Sequence, residues 1–169
     1  LLYGTAGYLY CLLLVNKECG VFSISKIDEI IFEIVDDLYK KGLVLKQIYK
    51  TDLLVYPFPR EEISKAKDIF LGAAHGIFGI LYMMIKSIAL LSNMRSSFLD
   101  KKEIKESLAR IKSEIKFSLD MLLTMQFKTG NFPSDLNPES EDDAVHFCHG
   151  ATGAVLVLTE AYKFFNDYS

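Results

Sequence analysis

Two glycines three residues apart, at the head of a long apolar run, occur three times in this chain at a nearly constant interval. Gly4 and Gly7 introduce Tyr8-Leu9-Tyr10, Gly76 and Gly79 introduce Ile80-Leu81-Tyr82, and Gly150 and Gly153 introduce Val155-Leu156-Val157. The leading glycines lie 72 and then 74 residues apart. Self-similarity at a fixed period marks an internal repeat, and it narrows the choice of fold before any other feature does.

One-faced helical patterns fill the space between the apolar runs. Ile27, Ile30, Ile31, Ile34, Val35 and Leu38 fall on one side of a helix. Ser25 and Asp28 stand at its start in a capping-box-like arrangement, and Gly42 reads as its stop. A second pattern, Ile104, Leu108, Ile111, Ile115, Leu119 and Leu122, runs from a cap at Asp100 to about Gln126. Residues 43–60 carry Val44, Ile48, Val55 and Tyr56 and then Pro57 and Pro59, which predicts an irregular connection with a short strand-like part. Residues 127–145 predict a polar loop whose acidic run, Glu139 to Asp143, is solvated.

A helix apolar on every side must be buried on every side. One such helix and one one-faced helix per period therefore require two concentric layers. The expected fold class is all-α: an α/α toroid with an inner ring of apolar helices and an outer ring of amphipathic ones. Three inner helices do not close a ring. Residues 1–169 accordingly read as about three repeats of one larger domain, with further repeats expected before and after and an inner helix left exposed. The glycine pairs would strip one face of the first helical turn and let neighbouring inner helices approach closely.

The totals exclude several classes of function. A net charge of −3 without a basic cluster gives no footprint for nucleic acid. Three widely spaced cysteines make no disulfide framework, which favours a reducing, cytoplasmic setting. Residues 69–85 carry no formal charge over 17 positions, near the lower limit for a membrane span. They also contain His75 and three glycines, between Asp68 and Lys86, and read as a buried helix. Peripheral membrane association stays open. The start at Leu1 has no methionine and no basic n-region, and reads as a cut inside a longer protein.

Chemistry concentrates at His146-Phe147-Cys148-His149-Gly150. Cys148 stands just before a helical turn whose unpaired N–H groups and dipole favour negative charge, a setting for a thiolate ligand or nucleophile. A small buried residue is the plain alternative. Cys11 and Cys19 have no such setting. His75 occupies the repeat position of His149, so both should face the end where inner-helix N-termini converge. His146 precedes the helix and reads as a loop residue. Cys148, His149 and His75 could offer zinc three donors, yet adjacent helical residues point about 100° apart. A partial site completed by residues elsewhere is the stronger reading.

From Phe147 to Gly153 the sequence resembles the eukaryotic LanC-like proteins, relatives of the bacterial lanthionine cyclases. Leu2-Tyr3-Gly4-Thr5-Ala6-Gly7-Tyr8, Val15-Asn16-Lys17, Gly72-Ala73-Ala74-His75-Gly76 and Gly130-Asn131-Phe132-Pro133 extend the resemblance across the chain in the family's order. It implies a barrel of seven α/α repeats and a zinc ion held by two cysteines and one histidine. Cys148 matches the first of these metal ligands; the others belong to a later Cys-His-Gly motif beyond Ser169. His149 matches the position after that first cysteine, to which an acid/base role is attached, and His75 matches the active-site histidine of the Ala-Ala-His-Gly motif. Thr5 replaces an arginine common in eukaryotic members, and Ala144 stands where bacterial cyclases carry an arginine. The bacterial aspartate upstream of the first repeat would precede Leu1.

The chemistry implied by this resemblance is zinc-dependent addition of a thiol, glutathione in the eukaryotic branch, to dehydroalanine or dehydrobutyrine in proteins or peptides. A non-catalytic zinc- and glutathione-binding scaffold or signalling adaptor would use the same fold and ligands. Other α/α toroids, carbohydrate-active or prenyl-transferring, would need paired acidic residues at the ring mouth or another zinc pattern, and rank third. Residues 1–169 by themselves are expected to bind zinc weakly or not at all and to be inactive.

Overall fold

The alternation of apolar and one-faced runs becomes an alternation of inner and outer helices. The structure, a computed structural model, describes residues 4–18, 26–57 and 69–165. These residues form α1 (Gly4–Glu18), α2 (Ile27–Tyr49), α3 (Ile77–Asn93), α4 (Lys102–Leu123) and α5 (Ala151–Phe165). Among the described residues there is no strand, only an isolated antiparallel bridge between Phe70 and Asp135. Helix α3 packs on all four others. It buries Ile77, Phe78, Leu81, Met83, Met84, Ile85, Ile88 and Leu91, as a helix apolar nearly all round must.

Helices α2 and α4 are the outer layer. Ile31, Val35 and Leu38 of α2 and Ile111, Ile115 and Leu122 of α4 turn inward. Outward lie charges paired along the helix, such as Lys40 with Asp36 and Lys41 with Asp37, both at 2.6 Å. Two polar contacts tie the outer helices together: Lys46 Nζ to Glu114 Oε1 at 2.6 Å, and Ser107 Oγ donating to Asp36 Oδ1 at 3.1 Å. Helices α1 and α5 flank α3 in the inner layer. Leu9 and Val157 are buried against it, whereas Tyr8 and Leu14 on α1 and Val155 and Tyr162 on α5 are 44–60% exposed. The molecule is an arc of an α/α toroid with inner helices bare at both ends. No helix among the described residues is long and apolar enough to cross a membrane.

Local signals give way to packing at several points. Helix α2 does not stop at Gly42 but continues to Tyr49, ending at Lys50 in a left-handed turn (φ 50°). Gly42 serves packing instead: a Cβ there would meet Tyr56 Oη at 2.6 Å and Leu54 Cδ2 at 2.9 Å. The expected irregular connection is thus confined, among the described residues, to 51–57. Leu53, Leu54, Val55 and Tyr56 there are buried without strand pairing, and the Leu54 N–H donates to Ser118 Oγ at 3.0 Å. Pro59 lies outside the described residues, as do Ser25 and Cys19. Asp28 is buried and accepts from Ser96 Oγ on the α3–α4 connection. Asp100 does not cap α4, whose N-cap is Lys101; its carboxylate accepts from Lys105 Nζ at 2.9 Å.

Gly42→Ala provides a test of this packing. Helix propensity alone favours alanine by about 1 kcal/mol. The added methyl must push Tyr56 Oη away from the Leu38 carbonyl to which it donates at 3.0 Å, and losing a buried hydrogen bond costs about 1–3 kcal/mol. Denaturant unfolding should show net destabilisation in the native background. In a Tyr56→Phe background the loss should be smaller, because only the contacts with Leu54 Cδ2 at 2.9 Å and the ring Cζ at 3.0 Å remain; equal losses in both backgrounds would contradict the contact with the hydroxyl.

Candidate functional site

The lead-ins to α3 and α5 build the site. The first turn of α3 leaves N–H groups without partners inside the helix. Residues 69–76 fold back to meet them, and the N–H groups of Ile77 and Phe78 donate to the carbonyls of Phe70 and Leu71 at 3.0 and 2.9 Å. The other edge of this segment pairs with residues 134–136: Leu71 N–H reaches the Ser134 carbonyl at 2.9 Å, and Leu136 N–H reaches that of Ile69 at 3.1 Å. So tight a wrap needs glycine. A Cβ at Gly76 would lie 2.3 Å from the Phe70 carbonyl oxygen, and one at Gly79 1.9 Å from that of Ala73.

The lead-in to α5 is a closed turn. His146 and His149 exchange backbone hydrogen bonds, His146 N–H to the His149 carbonyl at 2.7 Å and the reverse at 3.2 Å. Gly150 follows with φ +92°, a left-handed conformation that side chains strain to adopt. The turn is laid directly on the α3 lead-in. The Ala73 N–H donates to the Phe147 carbonyl at 3.2 Å, and a Cβ at Gly72 would stand only 1.7 Å from the Cys148 carbonyl oxygen. At Gly153 a Cβ would lie 2.4 Å from the Phe147 carbonyl oxygen and 2.9 Å from Ala73 N.

The glycine pairs of the second and third copies therefore admit backbone of the lead-in segments, where a close approach of inner-helix bodies was expected. Gly4 differs again: it has φ +70° and, among the described residues, nothing within 4 Å of its would-be Cβ.

This contact carries the expected residues to one end of the inner helices, where the N-termini of α3 and α5 meet. Cys148 is a free, half-buried cysteine. The His149 ring packs edge-on against Phe70, centroids 5.3 Å apart at 76°. Its Nδ1 is buried with no hydrogen-bond partner among the described residues. His75 is half-buried in the α3 lead-in, between Ala74 and Gly76. His146 is exposed, and exposed Cys11 lies on α1 away from these lead-ins.

The loop expected to be merely polar contains the residue that organises this end of the bundle. Asn131 is buried at 6% exposure. Its Oδ1 accepts from the Ala151 N–H at 2.7 Å, capping α5 from a distant part of the chain. Its Nδ2 donates to the Ala144 carbonyl at 3.0 Å and to Asp142 Oδ1 at 2.7 Å. Asp142 also accepts from Thr129 Oγ1 at 2.5 Å while remaining exposed, so the acidic run is a solvated surface as expected, and one of its carboxylates is also bonded to the loop. Next to Asn131, Phe132 is buried edge-on against Phe78 of α3 at 5.2 Å. The signal in the sequence was Asn131 within Gly130-Asn131-Phe132-Pro133, a side chain that both donates and accepts.

The hydrogen bonds from Thr129 and then Asn131 hold the Asp142 carboxyl below its usual range. A carboxyl with a depressed folded-state pKa contributes stability above its unfolded value, about 3.9, and loses it as pH falls through the lower folded value. Thermal midpoints measured below about pH 4 should therefore fall less steeply for Asp142→Asn than for the native protein. Parallel pH profiles would contradict this role.

Among the described residues no three His, Cys, Asp or Glu side chains are grouped to hold a metal ion. Cys148 fits a metal as a single soft donor, an accessible thiol outside any disulfide.

Inner and outer helices in alternation, with histidine and cysteine gathered where inner N-termini meet, define part of an α/α toroid with a candidate site at one end. The chain belongs to the family described as lanthionine synthetase C-like protein, whose model matches residues 1–169. It is 31% identical over 169 residues to "Glutathione S-transferase LANCL1" of Danio rerio, a match covering 98% of this chain and 35% of that protein. It is 28% identical over 167 residues to "LanC-like protein GCL1" of Arabidopsis thaliana, covering 98% of this chain and 32% of that protein. The chain thus spans about a third of the length of these curated relatives.

Proposed function

We propose that this chain supplies one wall of a thiol-transfer site, at which glutathione is added to dehydroalanine or dehydrobutyrine in proteins or peptides. The observation that carries this reading is the joining of the two lead-ins, which sets Cys148 and His149 on the segment that bears His75. The relative named a glutathione S-transferase supports glutathione as the thiol.

Cys148 would be one ligand of a zinc ion, with the remaining donors in the part of the relatives' length that this chain does not span. Zinc bound there would supply a glutathione thiolate near neutral pH. The thiolate forms a carbon–sulfur bond at the β-carbon as the carbon–carbon double bond opens, and a proton is added at the α-carbon. His149 and His75 are the candidate proton carriers, because an imidazole can both donate and accept a proton. The buried Nδ1 of His149, without a partner among the described residues, supports a role beyond packing, since a satisfied core histidine has both ring nitrogens accounted for.

The test incubates the full-length protein, zinc quantified, with glutathione and a dehydroalanine peptide. Adduct formation above the uncatalysed rate is expected. Zinc bound without adduct would overturn catalysis and leave the scaffold reading standing.

A further inference from the structure

We propose that Asn131 is a positioning residue that clamps the Cys148–His149 loop at both of its ends. The loop leaves the acidic segment at Ala144 and enters α5 at Ala151, and the Asn131 side chain holds each end by one hydrogen bond, at 3.0 and 2.7 Å. Cys148 and His149 lie between those two anchor points. The role rests on the reading of these two residues as functional given above.

An asparagine suits this position because the two ends need opposite partners. The Ala144 carbonyl needs a donor and the Ala151 N–H needs an acceptor, and a primary amide offers both. Asp142 sets which way round the amide sits. A carboxylate accepts only, so Nδ2 faces it and Oδ1 is left towards Ala151. A flipped amide would set two acceptors against each other. Gly150 completes the clamp: a Cβ there would lie 2.2 Å from the Ala144 carbonyl oxygen and 2.6 Å from Asn131 Oδ1, so any side chain would force the ends apart. One buried side chain thereby fixes the path of the chain through Cys148, although it touches neither the thiol nor the imidazole by any hydrogen bond in the structure.

The experiment uses the full-length protein with Asn131→Leu, Asn131→Asp, Asp142→Asn and the exchange Asn131→Asp/Asp142→Asn. Two readouts are taken on each: zinc affinity by competition with a chelator, and the rate at which iodoacetamide alkylates Cys148 after zinc is stripped, with exposed Cys11 as the internal reference. Asn131→Leu should weaken zinc binding roughly 10- to 100-fold, the scale for losing a group that orients a metal ligand. It should also speed alkylation of Cys148 relative to Cys11. Asn131→Asp should do the same, because two carboxylates then face each other.

The exchange should restore part of both readouts, leaving it between Asn131→Asp and the native protein. The carboxylate placed at 131 can accept from Ala151 and from the amide placed at 142, and only the Ala144 carbonyl loses its donor. If Asn131→Leu does not fold, the comparison of Asn131→Asp with the exchange decides. Native zinc affinity and native Cys148 reactivity in folded Asn131 variants would overturn the clamp, as would an exchange no better than Asn131→Asp. The alkylation rate needs neither zinc nor turnover. A native protein that makes no glutathione adduct would therefore sink the transferase reading and leave the clamp to be judged by its own result.

Discussion

Gly72→Ala in the full-length protein is expected to destabilise the fold by about 3 kcal/mol, the upper range for overpacking a well-filled interior. The added Cβ would stand 1.7 Å from the Cys148 carbonyl oxygen, 2.3 Å from its carbonyl carbon and 2.9 Å from the His149 nitrogen. All three are backbone atoms, so no side chain can rotate out of the way. The lead-ins must separate, and the Ala73 N–H to Phe147 carbonyl bond at 3.2 Å lies next to the point of separation. A lower thermal midpoint should come with faster alkylation of Cys148 by iodoacetamide, since the segment that moves carries the thiol. An unchanged midpoint and unchanged reactivity would mean that the two lead-ins do not touch here.

The second large effect is on function without loss of fold. On the proposed function, Cys148→Ala in the full-length protein should release zinc and lower glutathione adduct formation by at least about 100-fold, while keeping the helical circular dichroism of the native protein. Cys148 is half-buried and lies outside the hydrophobic core, so losing its sulfur removes little packing. Cys11→Ala on α1 should leave both zinc and activity intact. Zinc retained by Cys148→Ala would remove this residue from the metal site. A collapse of helical content would make its role structural.

The helices were largely legible in the sequence because hydrophobic periodicity reports burial directly. The spacing of Ile31, Val35, Leu38, Ile111, Ile115, Leu119 and Leu122 predicts an inward face, and all seven are buried. The nearly uniform apolarity of α3 was read as burial all round, and that helix is the hub of the arc. Gly42 misled because a glycine signals both a helix end and a close contact, and only the position of Tyr56 distinguishes the two. The glycine pairs were recognised as sites of close approach, but which backbone comes near depends on a segment far along the chain. Asn131 and Asp142 were least legible. Polar residues in a loop look alike until the loop's neighbours are known.

By itself the sequence determined the all-α repeat, the alternation of inner and outer helices, the family, and the candidacy of Cys148, His149 and His75. These rest on period, composition and local motif, properties carried by residues close together in the chain. Tertiary structure alone decided that the Cys148–His149 turn lies across Gly72 and Ala73, and that Asn131 holds both ends of that turn. Such contacts join residues as far apart as Gly72 and His149, and their geometry follows from how the helices pack rather than from any pattern a short stretch can carry.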